Sequence, residues 1–299
     1  MTKIYMAGVG GMLGEAFHHV FSDEYELLCT DKDVNAPWLA KLDFRDRAEY
    51  ARQVRDFRPD YLFHIGAHTS LEYCEDHVDD AYATNTLPVE TAVWLANSLD
   101  IPLLYISTAG IFDGAHETYD DWDQPNPLGH YARSKYMGER VVVESAQRYL
   151  VCRAGWMMGA GPARDKKFIQ KLMLQLKQGA KELKVVDDKL GTPTYTRDFA
   201  AQVKVLIEQD LWGLYNTVCS GVTSRFEVAE YLVKALGKER EIAVNPVGSD
   251  YFAKEYFAPR PPSERLLTRK LDLRGVNVMR DWRVCLDEYL AEKYVGYLA

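Results

Sequence analysis

Tyr131 and Lys135 stand four residues apart in "NPLGHYARSKYMGERVVVESAQ", a stretch of helical periodicity, and that spacing puts both side chains on one helix face. A phenol with the usual pKa of ~10 is a poor acid–base group at neutrality, but a fixed ammonium beside it stabilises the phenolate and lowers that value. Lys135 can supply the charge. Taken alone, Tyr-x-x-x-Lys is equally an ordinary surface pair. The spacing gains meaning from "PLLYISTAGIFDG", an apolar strand ending in Ser107 and Thr108, which delivers hydroxyls to the carboxyl edge of a sheet, where open α/β folds bind ligands.

A partner for such a site is announced near the amino terminus by "GVGGMLG". Counting Gly-x-Gly-x-x-Gly from Gly8 and Gly10 puts Leu13 where the third glycine belongs. Gly-x-x-Gly-x-x-Gly fits instead, through Gly8, Gly11 and Gly14, and leaves Gly10 as an extra glycine. These residues fall between a strand and the helix "MLGEAFHHVF", so the backbone can approach a pyrophosphate that the helix N-terminus faces with its amides, those of Met12 and Leu13 among them. The strand "YELLCTDKD" then ends in Asp31, 17 residues after Gly14, where an acid can accept hydrogen bonds from the adenosine ribose. A 2′-phosphate ~4 Å from that carboxylate is repelled by about 4 kcal/mol at an effective dielectric of 20, which favours NADH. Lys32 follows and can accept the phosphate if Asp31 turns away, so NADPH stays open. Asp43, in "LDFRD", suits the adenine amino group and suits a strand-end turn equally well.

The elements that must hold these residues are legible in the first half. "KIYMAG", "YELLCT", "YLFHIG" and "PLLYIS" have strand length, and between them lie segments of helical periodicity such as "DAYATNTLPVETAVWLANSLD". Near-continuously apolar strands alternating with helices predict βαβ units on a doubly wound parallel sheet covered on both faces, a Rossmann-like α/β fold. After "YLVCRAGW" the rhythm loosens without a clean linker. The expected division is a dinucleotide-binding domain over 1–155 and a smaller mixed α/β substrate-binding lobe over 156–299, interleaved with elements returning to the sheet.

At 299 residues and 47% hydrophobic, the chain can bury a large core. Its 36 basic and 44 acidic side chains give a net charge of −8, so no global basic field recruits nucleic acid or an anionic membrane. Any phosphate site is local. Five scattered cysteines form no Cys-x-x-Cys pair and read as reduced thiols of a cytoplasmic protein, and no apolar run approaches a membrane span or signal segment. His64 and His68, near the cofactor strand end, read as structural histidines, Asn85 as a residue that satisfies backbone groups or a water, and no metal motif is present.

Strand, hydroxyl, Tyr-x-x-x-Lys and glycine turn occur in an order that resembles the extended short-chain dehydrogenase/reductase superfamily. The finer resemblance, nearly end to end, is to the dTDP-4-dehydrorhamnose reductase family, carried by "RPDYLFHIGAHTSLEYCE", "STAGIFDG", "NPLGHYARSKYMGE", "CRAGWMMG", "DDKLGTPTYTRDFA", "GLYNTVCSG", "RPPSERL" and "DWRVCLDEYL". The resemblance implies reduction of a 4-keto group on a nucleotide-diphosphate 6-deoxyhexose by NADH or NADPH. Tyr131 then donates a proton to the carbonyl oxygen, Thr108 polarises it, and Lys135 binds the nicotinamide ribose. Gly8, Gly11, Met12, Leu13, Gly14, Asp31, Lys32, Asp43 and Ala67 complete the cofactor site. Trp156 offers an apolar face to the sugar, with core packing as the other reading, and Arg260 neutralises the diphosphate. A homodimer is expected by analogy.

Departures from the family narrow the alternatives. The acid that usually follows the active-site Thr is absent, because Ala109 and Gly110 stand there, and the family's Asn-Ala-Ala-Ala becomes His64-Ile65-Gly66-Ala67. A 4,6-dehydratase needs the missing acid and base, and the epimerase-reductases need a cysteine that "STAGIFDG" lacks. The remaining competitor is a non-catalytic protein like the regulatory subunit of methionine adenosyltransferase. Against it stands the intact set Thr108, Tyr131 and Lys135.

Overall fold

The computed structural model describes residues 1–298. The sheet begins with β1 (Lys3–Ala7), β2 (Glu26–Asp31), β3 (Leu39–Lys41), β4 (Tyr61–His64), β5 (Leu103–Thr108) and β6 (Tyr149–Ala154). A seventh strand, Gly213–Asn216, returns from the second half to pair with β6, giving the order β3-β2-β1-β4-β5-β6 followed by 213–216. Every pairing in this sheet is parallel. The order reverses between β1 and β4, which opens a ligand crevice at their carboxyl ends.

Period-two alternation along the strands divides the core. Ile4, Met6, Phe63, Leu104, Ile106 and Cys152 face one side and pack with Phe17, Phe199 and Leu206; Tyr5, Ala7, Leu62, Leu103, Tyr105 and Val151 face the other with Tyr50, Val89 and Leu95. The first side is covered by α1 (Met12–Phe21) and α8 (Thr196–Glu208), the second by α2 (Arg47–Phe57), α5 (Leu87–Leu99) and α6 (His130–Ser145), with α3 (Leu71–Asp76) and α4 (Val78–Asn85) between. Burial on both faces is why the strands read as apolar runs. A separate core in the second half joins α7 (Phe168–Lys177), α9 (Arg225–Ala235) and the helix Trp282–Lys293 through Leu172, Met173, Val228, Leu232, Leu286 and Tyr289.

Candidate active site

The glycine turn closes by contacts that leave no room for side chains. Gly8 has φ +77°, and a β-carbon there would lie 2.2 Å from Gly66 Cα; one on Gly14 would lie 2.0 Å from the Val9 carbonyl oxygen. Gly11 differs, since nothing stands within 4 Å of its missing β-carbon. It precedes α1 with no side-chain cap, so the first amides of that helix are open to a ligand anion. Met12 and Leu13 bury their side chains and can offer only backbone N–H.

Gly10 is not a spare glycine. The Asp31 carboxylate lies against it, accepting the Gly10 N–H at 2.7 Å and the Asp33 N–H at 2.9 Å, and a β-carbon on Gly10 would come within 2.7 Å of Asp31 Cγ. Asp31 is thereby fixed at the rim of the turn, with Lys32 exposed beside it. Asp43 is gripped by Arg45 through Nε and Nη2 (3.0 and 2.7 Å), which holds its carboxyl below the usual range. Ala67 lies half-buried just past β4.

Helix α6 carries Tyr131 and Lys135 and is fastened along its length. Glu75 caps its start, accepting the His130 N–H at 2.6 Å. Tyr105 donates to the Lys135 carbonyl (2.9 Å), Thr86 to the Ser134 carbonyl (2.8 Å), and Asn85 to Ser134 Oγ (3.1 Å) while accepting the His68 N–H (2.7 Å). Asn85 thus satisfies neighbouring polar groups. Gly138 permits this close approach, because a β-carbon there would stand 2.5 Å from the Tyr105 hydroxyl. Beneath it, Glu139 and Arg153 form a buried two-point ion pair at 2.6 and 3.1 Å.

Thr108 and Tyr131 adjoin, and their electrostatics differ from the simple expectation. Burial pushes the Tyr131 phenol up to about 12, with the Thr108 hydroxyl pulling the other way. Lys135 does not lower it. The Lys135 amine is itself desolvated, down to about 7 against the pull of Glu139, and rests 4.2 Å from the Tyr105 ring centroid. A phenol at its ordinary value is already protonated at neutrality, and burial moves Tyr131 further in that direction, so in the free protein it is an acid. His64 is buried with Nδ1 3.3 Å from the Tyr50 hydroxyl, and burial lowers it to about 3, so it stays neutral.

Trp156 sits half-exposed. Its position explains "CRAGW" and "GTPTYT" together: residues 156–158 pair with 193–195, and a β-carbon on Gly191 would lie 2.2 Å from the indole. The indole N–H donates to Glu264 at 2.6 Å, and the Arg225 guanidinium stacks 3.7 Å over the ring. Arg260 is paired with Glu72 at 2.6 Å. Neither Glu264 nor Arg225 is visible as a site residue in the sequence, since each sits over 65 residues from Trp156 without a motif of its own. The only hint is the acid inside "RPPSERL". Away from this pocket, Asp198, Cys219 and Cys285 converge in the second core, but Arg280 claims the Asp198 carboxylate at 2.6 Å. Among the described residues, no helix is long and apolar enough to cross a membrane.

The whole chain has counterparts among known proteins. It is 28% identical to the spore coat polysaccharide biosynthesis protein SpsK of Bacillus subtilis, over 98% of each chain. It is 29% identical to a dTDP-4-dehydrorhamnose reductase of Mycobacterium tuberculosis, over 97% of this chain and 92% of that one. The crystal structure of dTDP-4-dehydrorhamnose reductase from Bacillus anthracis in complex with NADP superposes with a TM-score of 0.89 at 28% identity, covering 98% of this chain and 100% of that one. The sequence model of one family, described as the RmlD substrate binding domain, matches residues 1–295, and the chain belongs to that family.

Proposed function

We propose that this protein is an NAD(P)H-dependent reductase of a nucleotide-activated 4-keto-6-deoxyhexose, acting as the dTDP-4-dehydrorhamnose reductases do. The observation that carries the reading is the adjoining pair Thr108 and Tyr131, with Lys135 one turn along the same helix, in a chain that matches this family along its length. The residues suit a nicotinamide dinucleotide: Gly11 leaves a side-chain-sized gap before the uncapped start of α1, where a pyrophosphate fits. When bound, the cofactor supplies hydride to the sugar carbonyl carbon. The chain's own part is proton delivery and orientation. Tyr131, protonated at neutrality as a phenol is, donates to the carbonyl oxygen; Thr108 hydrogen-bonds the same oxygen; Lys135 holds the nicotinamide ribose hydroxyls.

A preference for NADH belongs to the same proposal. Its support is Asp31, held at the rim of the turn by the Gly10 amide, where its charge opposes a 2′-phosphate. The division into a cofactor domain over 1–155 and a substrate lobe over 156–299, a cytosolic setting for the five free thiols, and a homodimer are further parts of it.

The test is cofactor oxidation with dTDP-4-dehydrorhamnose, comparing NADH and NADPH. NADH should give the higher kcat/KM. Tyr131→Phe should lose about 10²- to 10⁴-fold in kcat while binding cofactor as before. Equally slow cofactor oxidation by both proteins, with NADH still bound, would remove the reductase reading.

A further inference from the structure

The sugar pocket contains a carboxylate for which the reaction has no use as an acid or base. Glu264 belongs to a two-residue strand, Ser263–Glu264, that pairs with Leu190–Gly191 beneath Trp156. Its Oε2 accepts the Trp156 indole N–H at 2.6 Å. Its Oε1 points the other way, toward Gly110, and lies 3.2 Å from where a β-carbon on that glycine would stand. Thr108 Oγ1 lies 3.6 Å from the same point. Among the described residues Oε1 accepts no hydrogen bond, although the side chain is half-buried. The charge of Glu264 reaches Tyr131, helping to keep the phenol protonated, and reaches Arg225 above the indole.

The indole N–H occupies Oε2, so Oε1 keeps its accepting capacity for a donor brought by a ligand. That oxygen packs where Gly110 lacks a side chain, on the same side as the Thr108 hydroxyl. Gly110 and Glu264 are in close contact: a β-carbon at 110 would oblige the carboxylate to give by a few tenths of an ångström, and the glycine spares it that shift. The family's acid is missing at Ala109, and the fold returns a carboxylate to this pocket from a segment 155 residues further along the chain.

We propose that Glu264 is a specificity-determining substrate contact, its Oε1 accepting a hydrogen bond from a hydroxyl of the sugar ring lodged between Thr108 and Trp156. This rests on the nucleotide-sugar reading above, and it goes further in naming the residue that reads the sugar. The carboxylate does two jobs, one oxygen orienting Trp156 and the other taking the sugar hydroxyl.

The deciding measurement is titration calorimetry of wild type, Glu264→Gln and Glu264→Ala with dTDP-L-rhamnose and with dTDP. The ratio of the two affinities isolates the sugar's contribution from that of the nucleotide. For Glu264→Ala the ratio should fall about 10- to 100-fold, the span of one hydrogen bond to a charged acceptor, while dTDP and cofactor affinities stay put. Glu264→Gln, which keeps an oxygen and the shape, should fall less. A purely structural role would weaken dTDP and sugar nucleotide alike and shift the tryptophan emission in the Ala variant only. An unchanged ratio in both variants, or a wild-type ratio of one, overturns the proposal. Because binding is read without turnover, a protein that fails to oxidise cofactor sinks the reductase reading and leaves the role of Glu264 in sugar binding to be decided by the affinity ratio alone.

Discussion

Lys135 shows how a residue identified by spacing acquires its properties only from its surroundings. Its amine is desolvated to about 7 in the free protein, so at about pH 8 it is mostly neutral. An anionic cofactor whose ribose hydroxyls meet the amine favours the ammonium, and linkage then requires proton uptake on binding. Affinity should therefore fall as pH rises above about 7, by at most tenfold per unit. Calorimetry of NADH binding at about pH 8, in two buffers of different ionisation enthalpy, should report uptake approaching one proton for wild type and none for Lys135→Met. Identical heats for wild type in both buffers would show that the amine is already charged. The same shift makes fold stability rise with pH between about 7 and the ~10.4 of an unfolded lysine, since in that window the unfolded chain binds more protons.

Elements transmit that arrangement. Helix α6 could be placed from "NPLGHYARSKYMGERVVVESAQ" because Tyr131 and Lys135 have helical spacing, and β5 from the apolar run before Ser107. The glycine turn, the strands and the Tyr131–Lys135 spacing were legible for one reason: each depends on neighbours close in sequence. Glu139 and Arg153 were not, because their meaning comes from meeting across α6 and β6. Gly10 and Gly191 likewise gain their roles from Asp31 and Trp156, whose approach only the fold reveals. The Glu139–Arg153 pair is nearly excluded from water, at 3% and 4% side-chain exposure. Arg153 Nη1 already lacks a hydrogen-bond partner, and the guanidinium lies 5.3 Å from the Phe112 ring centroid. Removing the acid leaves a buried, uncompensated charge at the base of the catalytic helix. Glu139→Leu should therefore cost about 3–5 kcal/mol in denaturant unfolding, whereas Glu139→Leu with Arg153→Met should recover most of it. If the single variant unfolds at the wild-type midpoint, the pair does not anchor α6.

At the scale of the whole molecule, one short stretch of the second half contributes two of the contacts that tie it to the first half. Arg164 donates to the Asn35 side chain at 3.2 Å, and Asn35 in turn donates to the Gly10 carbonyl. Lys167 donates to Thr69 Oγ1 at 3.0 Å, past the end of β4. The two straps thus land on the loops after β2 and β4, on either side of the β1 turn where the dinucleotide fits. Residues 159–161 supply the bend, with Gly159, Ala160 and Gly161 all at positive φ. Single hydrogen bonds between partly exposed groups contribute about 1 kcal/mol each, so they can break and re-form as the cofactor exchanges. Arg164→Ala with Lys167→Ala should accordingly leave the melting temperature almost unchanged and speed both association and release of NADH by several-fold, with the dissociation constant moving much less. Stopped-flow fluorescence of NADH binding and displacement separates the two rates. Unaltered rates in the double variant would mean that the cofactor enters and leaves without parting these contacts, and that the halves hold a fixed cleft.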